Sequence, residues 1–156
     1  MLFGKSSEEK LYKRICDFYD KKGVSYQYDD EHRMTLVINE KRDVPVNLLV
    51  SVEAEPLTLR ICGHLPFKIP EGSQEMMTRA LQAINQRLPV GHFRMYVPDG
   101  TLDYRVNYPL IGIQYDDEWL ENVLSEAYSI VTGRDEKILA LLRGEMTFEE
   151  FDKYVR

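Results

Sequence analysis

The stretch of sequence that decides the fold runs from Leu65 to Pro109 and is LPFKIPEGSQEMMTRALQAINQRLPVGHFRMYVPDGTLDYRVNYP. It begins with the end of a strand and a segment bounded by two prolines. Residues 73–88 then form a predicted helix, because apolar side chains recur on one face at helical spacing. These side chains are Met77, Ala80, Leu81, Ile84 and Leu88. The local signals agree with one another, which is typical of a sequence that specifies one fold.

A hairpin follows this helix, with strands predicted at residues 92–97 and 101–108. The turn between them contains Asp99-Gly100, which is among the strongest short-range signals for a hairpin. The second strand alternates between two sets, Leu102, Tyr104, Val106 and Tyr108 on one side and Asp103, Arg105 and Asn107 on the other. This alternation predicts a sheet that packs one face on the core and exposes the other to water.

Upstream of this stretch, the sequence predicts one helix and four short strands. Ser6 and Glu9 have the spacing of a capping box, and Gly23 ends the helix. Short connections between successive strands favour antiparallel pairing, because a parallel pair needs a crossover of about a dozen residues or more. The result is a predicted four-stranded meander, with strands at 24–29, 33–39, 45–53 and 57–63.

Downstream, the acidic C-terminal part is predicted to be helical. One helix runs from Asp116 to about Thr132, where acidic side chains favour the helix N-terminus, and a second covers 135–142. Thr147 and Glu150 repeat the capping-box spacing and open a short last helix.

The complete order, α-ββββ-α-ββ-α(α), predicts an α+β fold with a sheet of about six strands. We assign residues 1–156 to one domain. Its core is expected over residues 6–131, and residues 132–156 are expected to form a helical C-terminal extension.

Charge and composition exclude several function classes. Residues 116–156 hold 11 acidic and 5 basic side chains and supply the whole net charge of −6, since the remainder is balanced. Neither part offers the clustered lysines and arginines of a phosphate-binding surface, so no nucleic-acid partner is predicted. No apolar window approaches the ~20 residues of a membrane span, so no membrane partner is predicted either. We interpret Cys16 and Cys62 as buried thiols of a cytoplasmic protein.

No catalytic residue, metal site or cofactor is predicted. Cys62 and His64 point to one face of a strand, but a zinc site needs three or four ligands and no local spacing supplies the others. The chain has no nucleophile elbow, phosphate-binding loop or dinucleotide fingerprint. An enzymatic or small-ligand alternative remains, with a pocket between the second helix and the sheet that would hold His64, His92 or Arg94.

The aromatic residues allow two interpretations. Many of the ten tyrosines lie on or beside predicted strands, where β-propensity alone accounts for them. Tyrosine is also enriched at protein interfaces, and extended peptides add to exposed sheet edges. Trp119 is either a partner anchor or a half-buried packing residue, and we favour packing. The candidate protein-interface residues are Tyr96, Tyr104, Tyr108 and Trp119.

The runs LPFKIPEG and INQRLPVGHFRMYVPDGTLDYRVNYPL, followed by an acidic amphipathic helix, resemble the YbjN family of small bacterial proteins, which are described as sensory transduction regulators. The resemblance covers about residues 57–131. It implies a fold like that of type III secretion chaperones, with helices on one face of a twisted antiparallel sheet and frequent homodimers. It implies no catalytic residues. It points to Asn85, Gly91 and Gly100 as structural positions, with Asn85 hydrogen-bonding the second helix to the neighbouring hairpin.

Taken together, the residues and the resemblance predict a cytoplasmic, non-enzymatic protein-binding domain of YbjN type. It is expected to be a homodimer and to bind one or more protein partners whose identity the sequence does not specify.

Overall fold

The structure is a computed structural model that describes residues 4–155. Within this range the chain forms five α-helices, six strands and one short 3-10 helix at Glu71–Ser73. The helices are α1 Ser7–Lys22, α2 Gln74–Asn85, α3 Asp117–Thr132, α4 Asp135–Leu142 and α5 Phe148–Tyr154. The strands are β1 Gln27–Asp29, β2 Met34–Asn39, β3 Val46–Ala54, β4 Leu57–Lys68, β5 His92–Tyr96 and β6 Thr101–Pro109. None of these helices is long and apolar enough to cross a membrane.

All six strands form one antiparallel sheet in the order β1-β2-β3-β4-β6-β5. The first four strands follow one another as the predicted meander. The β5–β6 hairpin then joins through its second strand, so β6 lies beside β4 and β5 forms an edge. The predicted α+β fold with a six-stranded antiparallel sheet is confirmed.

The two faces of the sheet differ because side chains alternate along every strand. The face that we call the covered face carries the core residues of the central strands and packs against α1 and α3. Its central residues are Val46, Leu48, Val50, Val52, Leu59, Ile61, Leu102 and Tyr104. The opposite face, which we call the open face, presents exposed side chains such as those of Arg60, His64, Arg94 and Asn107.

The N-terminal helix forms where local signals predict it. The Ser6 side chain accepts a hydrogen bond from the Glu9 N–H, and the Glu9 side chain accepts one from the Ser6 N–H. At the other end, Gly23 adopts a left-handed conformation and donates its N–H to the last turn. The helix buries Leu11 and Ile15 among the core residues.

Three elements differ in length from their predicted bounds by three residues or more. Strand β1 begins at Gln27 instead of residue 24. The second helix ends at Asn85 instead of residue 88. Pro89 disfavours a helical conformation at Leu88, the last residue of the predicted helix. Strand β4 continues to Lys68, five residues beyond the predicted Gly63, because β6 pairs with it over this length. The pairing is irregular between His64 and Lys68, where Pro66 has no N–H to donate.

The C-terminal helices pack onto the helical layer. Ile138 of α4 and Phe151 of α5 are fully buried, and α5 lies against α2. Arg42, in the β2–β3 loop, donates to both carboxylate oxygens of Asp135 at 2.6 and 3.1 Å. Asp135 is 1% exposed. This buried ion pair joins the loop to the start of α4. The acidic helices are therefore docked on the molecule.

Candidate functional site: the open face and the two edges of the sheet

The four candidate interface residues have different surroundings. Tyr96 lies at the end of β5 on the open face and is 61% exposed. Tyr104 lies on the covered face and is fully buried, with its ring centroid 5.3 Å from that of Phe93. Its hydroxyl donates to the Val90 carbonyl at 3.0 Å, and burial raises its pKa. The prediction that Tyr104 contributes to a protein interface is wrong, because a fully buried ring has no surface to offer.

Tyr108 and Trp119 form a half-buried aromatic contact between β6 and α3. Their rings meet edge to face with centroids 5.5 Å apart, and Tyr115 lies 5.7 Å from Trp119. The Asp116 side chain accepts a hydrogen bond from the Trp119 N–H at 2.8 Å and caps α3. Trp119 therefore packs within the protein, which is the interpretation that the sequence favours.

Asn85 joins α2 to the outer edge of β5. Its side-chain amide donates to the Phe93 carbonyl and accepts from the Phe93 N–H, both at 2.8 Å. Gln74, at the start of the same helix, donates to the Val97 carbonyl at 3.0 Å. We call these two side chains the α2 clamp. They occupy backbone groups that would otherwise lie unpaired at an edge strand.

Gly91 and Gly100 occupy positions that only glycine fits without strain. Both have a positive φ, of 68° and 72°. A Cβ at Gly91 would collide with the Tyr104 ring, and one at Gly100 would collide with the Ile69 backbone. The Gly100 carbonyl also accepts a hydrogen bond from the Ile69 N–H at 2.8 Å, which ties the hairpin turn to the end of β4.

The opposite edge of the sheet is only partly paired. β1 covers β2 from Met34 to Leu36. Along β2, residues whose N–H and C=O point toward β3 alternate with residues whose N–H and C=O point away from it. Arg33 points toward β3, because its carbonyl accepts a hydrogen bond from the Val52 N–H. By this alternation, Ile38 directs its N–H and C=O away from β3. β1 does not extend to Ile38, and within residues 4–155 no turn or loop forms a backbone hydrogen bond with Ile38, so this part of the edge is open.

A groove of about 700 Å³ runs beside this open edge, and we call it the β2 groove. It lies between the end of α1, the middle of α3 and the second half of β2. Apolar and aromatic residues form much of its lining, including Phe18, Val24, Val37, Leu124 and Tyr128. Sequence reasoning missed this groove, because its walls come from segments far apart in the chain.

The open face carries one dense polar cluster. The Asp103 carboxylate accepts from Arg94 at 2.6 and 3.1 Å and from the Nε of Arg105 at 3.1 Å. Burial raises the pKa of Asp103, but the hydrogen bonds and charges of the two arginines outweigh it and hold that pKa below its usual value. We call Arg94 and Arg105 the arginine pair. One carboxylate thus fixes two guanidinium groups on neighbouring strands.

Cys62 and His64 lie beside this cluster, with Sγ and Nε2 3.6 Å apart. Asp103 adds a third potential ligand, and the ligand atoms of the three residues lie within 4.8 Å of one another. Burial, followed by the nearby Asp103 charge, raises the pKa of the Cys62 thiol to about 11. The Asp103 carboxylate in this group of three is already held by the two arginines.

The alternative pocket between the second helix and the sheet does not collect its predicted residues. A groove of about 610 Å³ separates α2 from β5, and Arg94 lines it. His64 and His92 lie instead on the open face, where His64 is the cross-strand neighbour of Asp103 and His92 is that of Arg105. The structure therefore brings only one of the three residues to this groove.

Comparison with known proteins gives a family and a fold. A family model described as "YbjN: Putative bacterial sensory transduction regulator" matches residues 12–132. No curated protein matches the chain. A chain of the solved structure described as "Crystal Structure of the ExsC-ExsE Complex" is similar, with a TM-score of 0.56 and 14% identity over 89% of this chain and 96% of that one. The expected type III secretion chaperone-like fold is thereby confirmed.

Proposed function

This chain belongs to the YbjN family, and from that premise we propose that it is a non-enzymatic regulator that binds an extended segment of a partner protein and acts as a cytoplasmic homodimer. The family description supports the regulatory role. The structural neighbour is one chain of a protein–protein complex, which supports binding of a protein partner. Cys16 and Cys62 are both free, as is usual for proteins of a reducing compartment.

The observation that carries the proposal is the β2 groove beside an open strand edge. An extended peptide adds to such an edge through main-chain hydrogen bonds, and its alternate side chains enter neighbouring pockets. Here the N–H and C=O of Ile38 supply the edge, and the apolar walls of α1 and α3 supply the pocket. Lys41 also lines the groove, which favours a segment with an acidic residue near its apolar ones. Lys22 lines it as well but is paired with Glu121 at 3.9 Å.

Substitution of Ile38 tests this mode of binding. A proline at an edge position whose N–H faces outward is tolerated by the fold but cannot donate to an added strand. We expect Ile38→Pro to reduce partner retention at least about tenfold in affinity capture from the native host, whereas Ile38→Val retains the partner. Hydrogen exchange should show new protection at the Ile38 amide in the wild-type complex, because this amide points away from β3.

Thermal unfolding of both variants shows whether each is folded before capture is compared. The proposed mode of binding is wrong if Ile38→Pro is folded and captures the partner as well as the wild type does. It is also wrong if the wild-type chain captures no protein.

Homodimerisation is tested separately by size-exclusion chromatography with light scattering. A dimer gives twice the chain mass of 18.3 kDa over a range of protein concentrations. A constant mass of one chain would contradict the homodimer while leaving the partner-binding proposal standing.

A further inference from the structure

From the arrangement of side chains on the open face we infer a second docking surface, for an acidic amphipathic helix of a protein partner. This inference rests on the proposed protein-binding function, but it concerns a different surface from the β2 groove. The arginine pair and an adjoining apolar strip carry it.

The arginine pair is a preorganised receptor for carboxylates. Asp103 engages Arg105 only through Nε, so the two terminal amino groups of Arg105 are not used by that carboxylate. The side chains of Arg94 and Arg105 are 47% and 42% exposed, and together with Asp103 they carry one net positive charge. Fixed guanidinium groups bind carboxylates with little further loss of side-chain entropy.

An apolar strip continues from the arginine pair across the sheet. Cross-strand pairing places five side chains in one row, in the order Leu36, Leu49, Cys62, Arg105 and His92. Met34 and Ile38 flank this row on β2. Leu36, Leu49 and Cys62 remain partly exposed, although they lie near the middle of the sheet.

The size of the row suits a helix. Five strands about 4.8 Å apart give a row of roughly 20 Å, which is the length of about 13 helical residues. A partner helix would place apolar side chains over Leu36 and Leu49 and its carboxylates over the arginine pair.

The charge of the molecule makes this surface selective. The chain as a whole carries a net charge of −6 and repels acidic partners elsewhere. Arg60, also on the open face, is already paired with Glu53 at 2.8 Å. Two cationic side chains in an otherwise acidic protein are too few for a nucleic-acid backbone, which needs many phosphate contacts. They are sufficient to position the carboxylates of one helix.

The test uses two labelled 14-residue peptides with an amphipathic helical pattern. The acidic peptide consists of Leu, Ala and Glu, and its counterpart has Gln in place of each Glu. Fluorescence anisotropy measures their binding to the full chain at low salt. We expect the acidic peptide to bind at least about tenfold more tightly than its Gln counterpart. Arg94→Gln and Arg105→Gln should each weaken its binding about fivefold or more, and Arg105→Lys should weaken it less than Arg105→Gln.

Lys10→Gln is the matched control, because it removes the same charge from an exposed position on α1. It should change binding less than about twofold, and circular dichroism verifies that each variant is folded. The inference is overturned if the Gln peptide binds equally well, or if Lys10→Gln weakens binding as much as the arginine variants do. Arg94 and Arg105 do not line the β2 groove. Arg94→Gln and Arg105→Gln should therefore leave capture of the partner through that groove unchanged, so failure of the β2 groove proposal and failure of this one are distinguishable.

Discussion

Tyr96 and Tyr104 belong to the two strands of one hairpin, yet their surroundings are opposite. Tyr96 points to the open face and is largely in water, whereas Tyr104 is part of the core beneath the helices. The phenol of Tyr104 is satisfied by the Val90 carbonyl, and its ring is the group that Gly91 leaves room for. Only Tyr96 of this pair has surface with which to contact a partner.

Alanine substitution should separate these two tyrosines. Tyr104→Ala leaves a large cavity, and we expect the free energy of unfolding to fall by about 3–5 kcal/mol. Tyr96→Ala removes an exposed ring and should change it by less than about 0.5 kcal/mol. Urea denaturation monitored by circular dichroism measures both values. Equal effects of the two substitutions would contradict the burial that distinguishes them.

Alternation in the sequence predicts which residues of β6 share a face, and the structure agrees with it. It does not predict which face the helices cover, because that depends on contacts with residues far away in the chain. For this reason the sequence alone does not distinguish a buried Tyr104 from one at an interface. The link from Asp103 to Arg94 could not be predicted either, since it depends on the register of the hairpin.

At the scale of elements, the α2 clamp connects a helix to a strand edge. Edge strands expose backbone N–H and C=O groups, and proteins commonly cover them. Asn85 satisfies both groups of Phe93, and Gln74 satisfies the carbonyl of Val97. The hairpin is therefore held along its outer strand as well as through its pairing with β4.

Asn85→Ala should destabilise the fold. Both backbone groups of Phe93 lose their partner, and we expect a loss of about 1–3 kcal/mol in the free energy of unfolding. The matched control is Gln82→Ala, an exposed amide on the same helix, which should change the free energy by less than about 0.5 kcal/mol. Chemical denaturation gives the stability, and hydrogen exchange at the Phe93 amide reports the edge directly. Unchanged exchange at Phe93 would contradict the role given to Asn85.

The bounds of an element are predicted well where the residues that determine them are close together in the sequence. The capping boxes of Ser6 with Glu9 and of Thr147 with Glu150 both form as the sequence indicates. The length of β4 is less predictable, because its last residues are held by pairing with a strand about thirty residues later. The β2 groove is least predictable, since three separate elements form its walls.

At the scale of the whole molecule, the acidic C-terminal helices are part of the packed structure. The charge pattern predicts helices there, but it does not predict that Arg42 reaches Asp135 from the β2–β3 loop. Burial of Ile138, Leu141 and Phe151 adds apolar contacts to this ion pair. The proposed division into a core over residues 6–131 and an extension over 132–156 can therefore be tested by measuring how much stability is lost when the extension is removed.

We predict that a chain ending at Thr132 is less stable than the full chain by at least about 3 kcal/mol, because several apolar side chains lose their buried contacts. Arg42 also loses its partner Asp135. A chain ending at Gly144 keeps α4 and should have an intermediate stability. Calorimetry or urea denaturation compares the three chains. If the shortest chain is as stable as the full one, the C-terminal helices contribute nothing to the fold.

Because side chains of α2 occupy much of the hydrogen-bonding capacity along β5, the sheet can grow in only one direction. An incoming strand has a place at β2 and meets an obstructed boundary at the far side. A strand that pairs with Ile38 would continue the sheet beyond the end of β1, whereas a strand that approaches β5 would have to displace Asn85 from the backbone of Phe93.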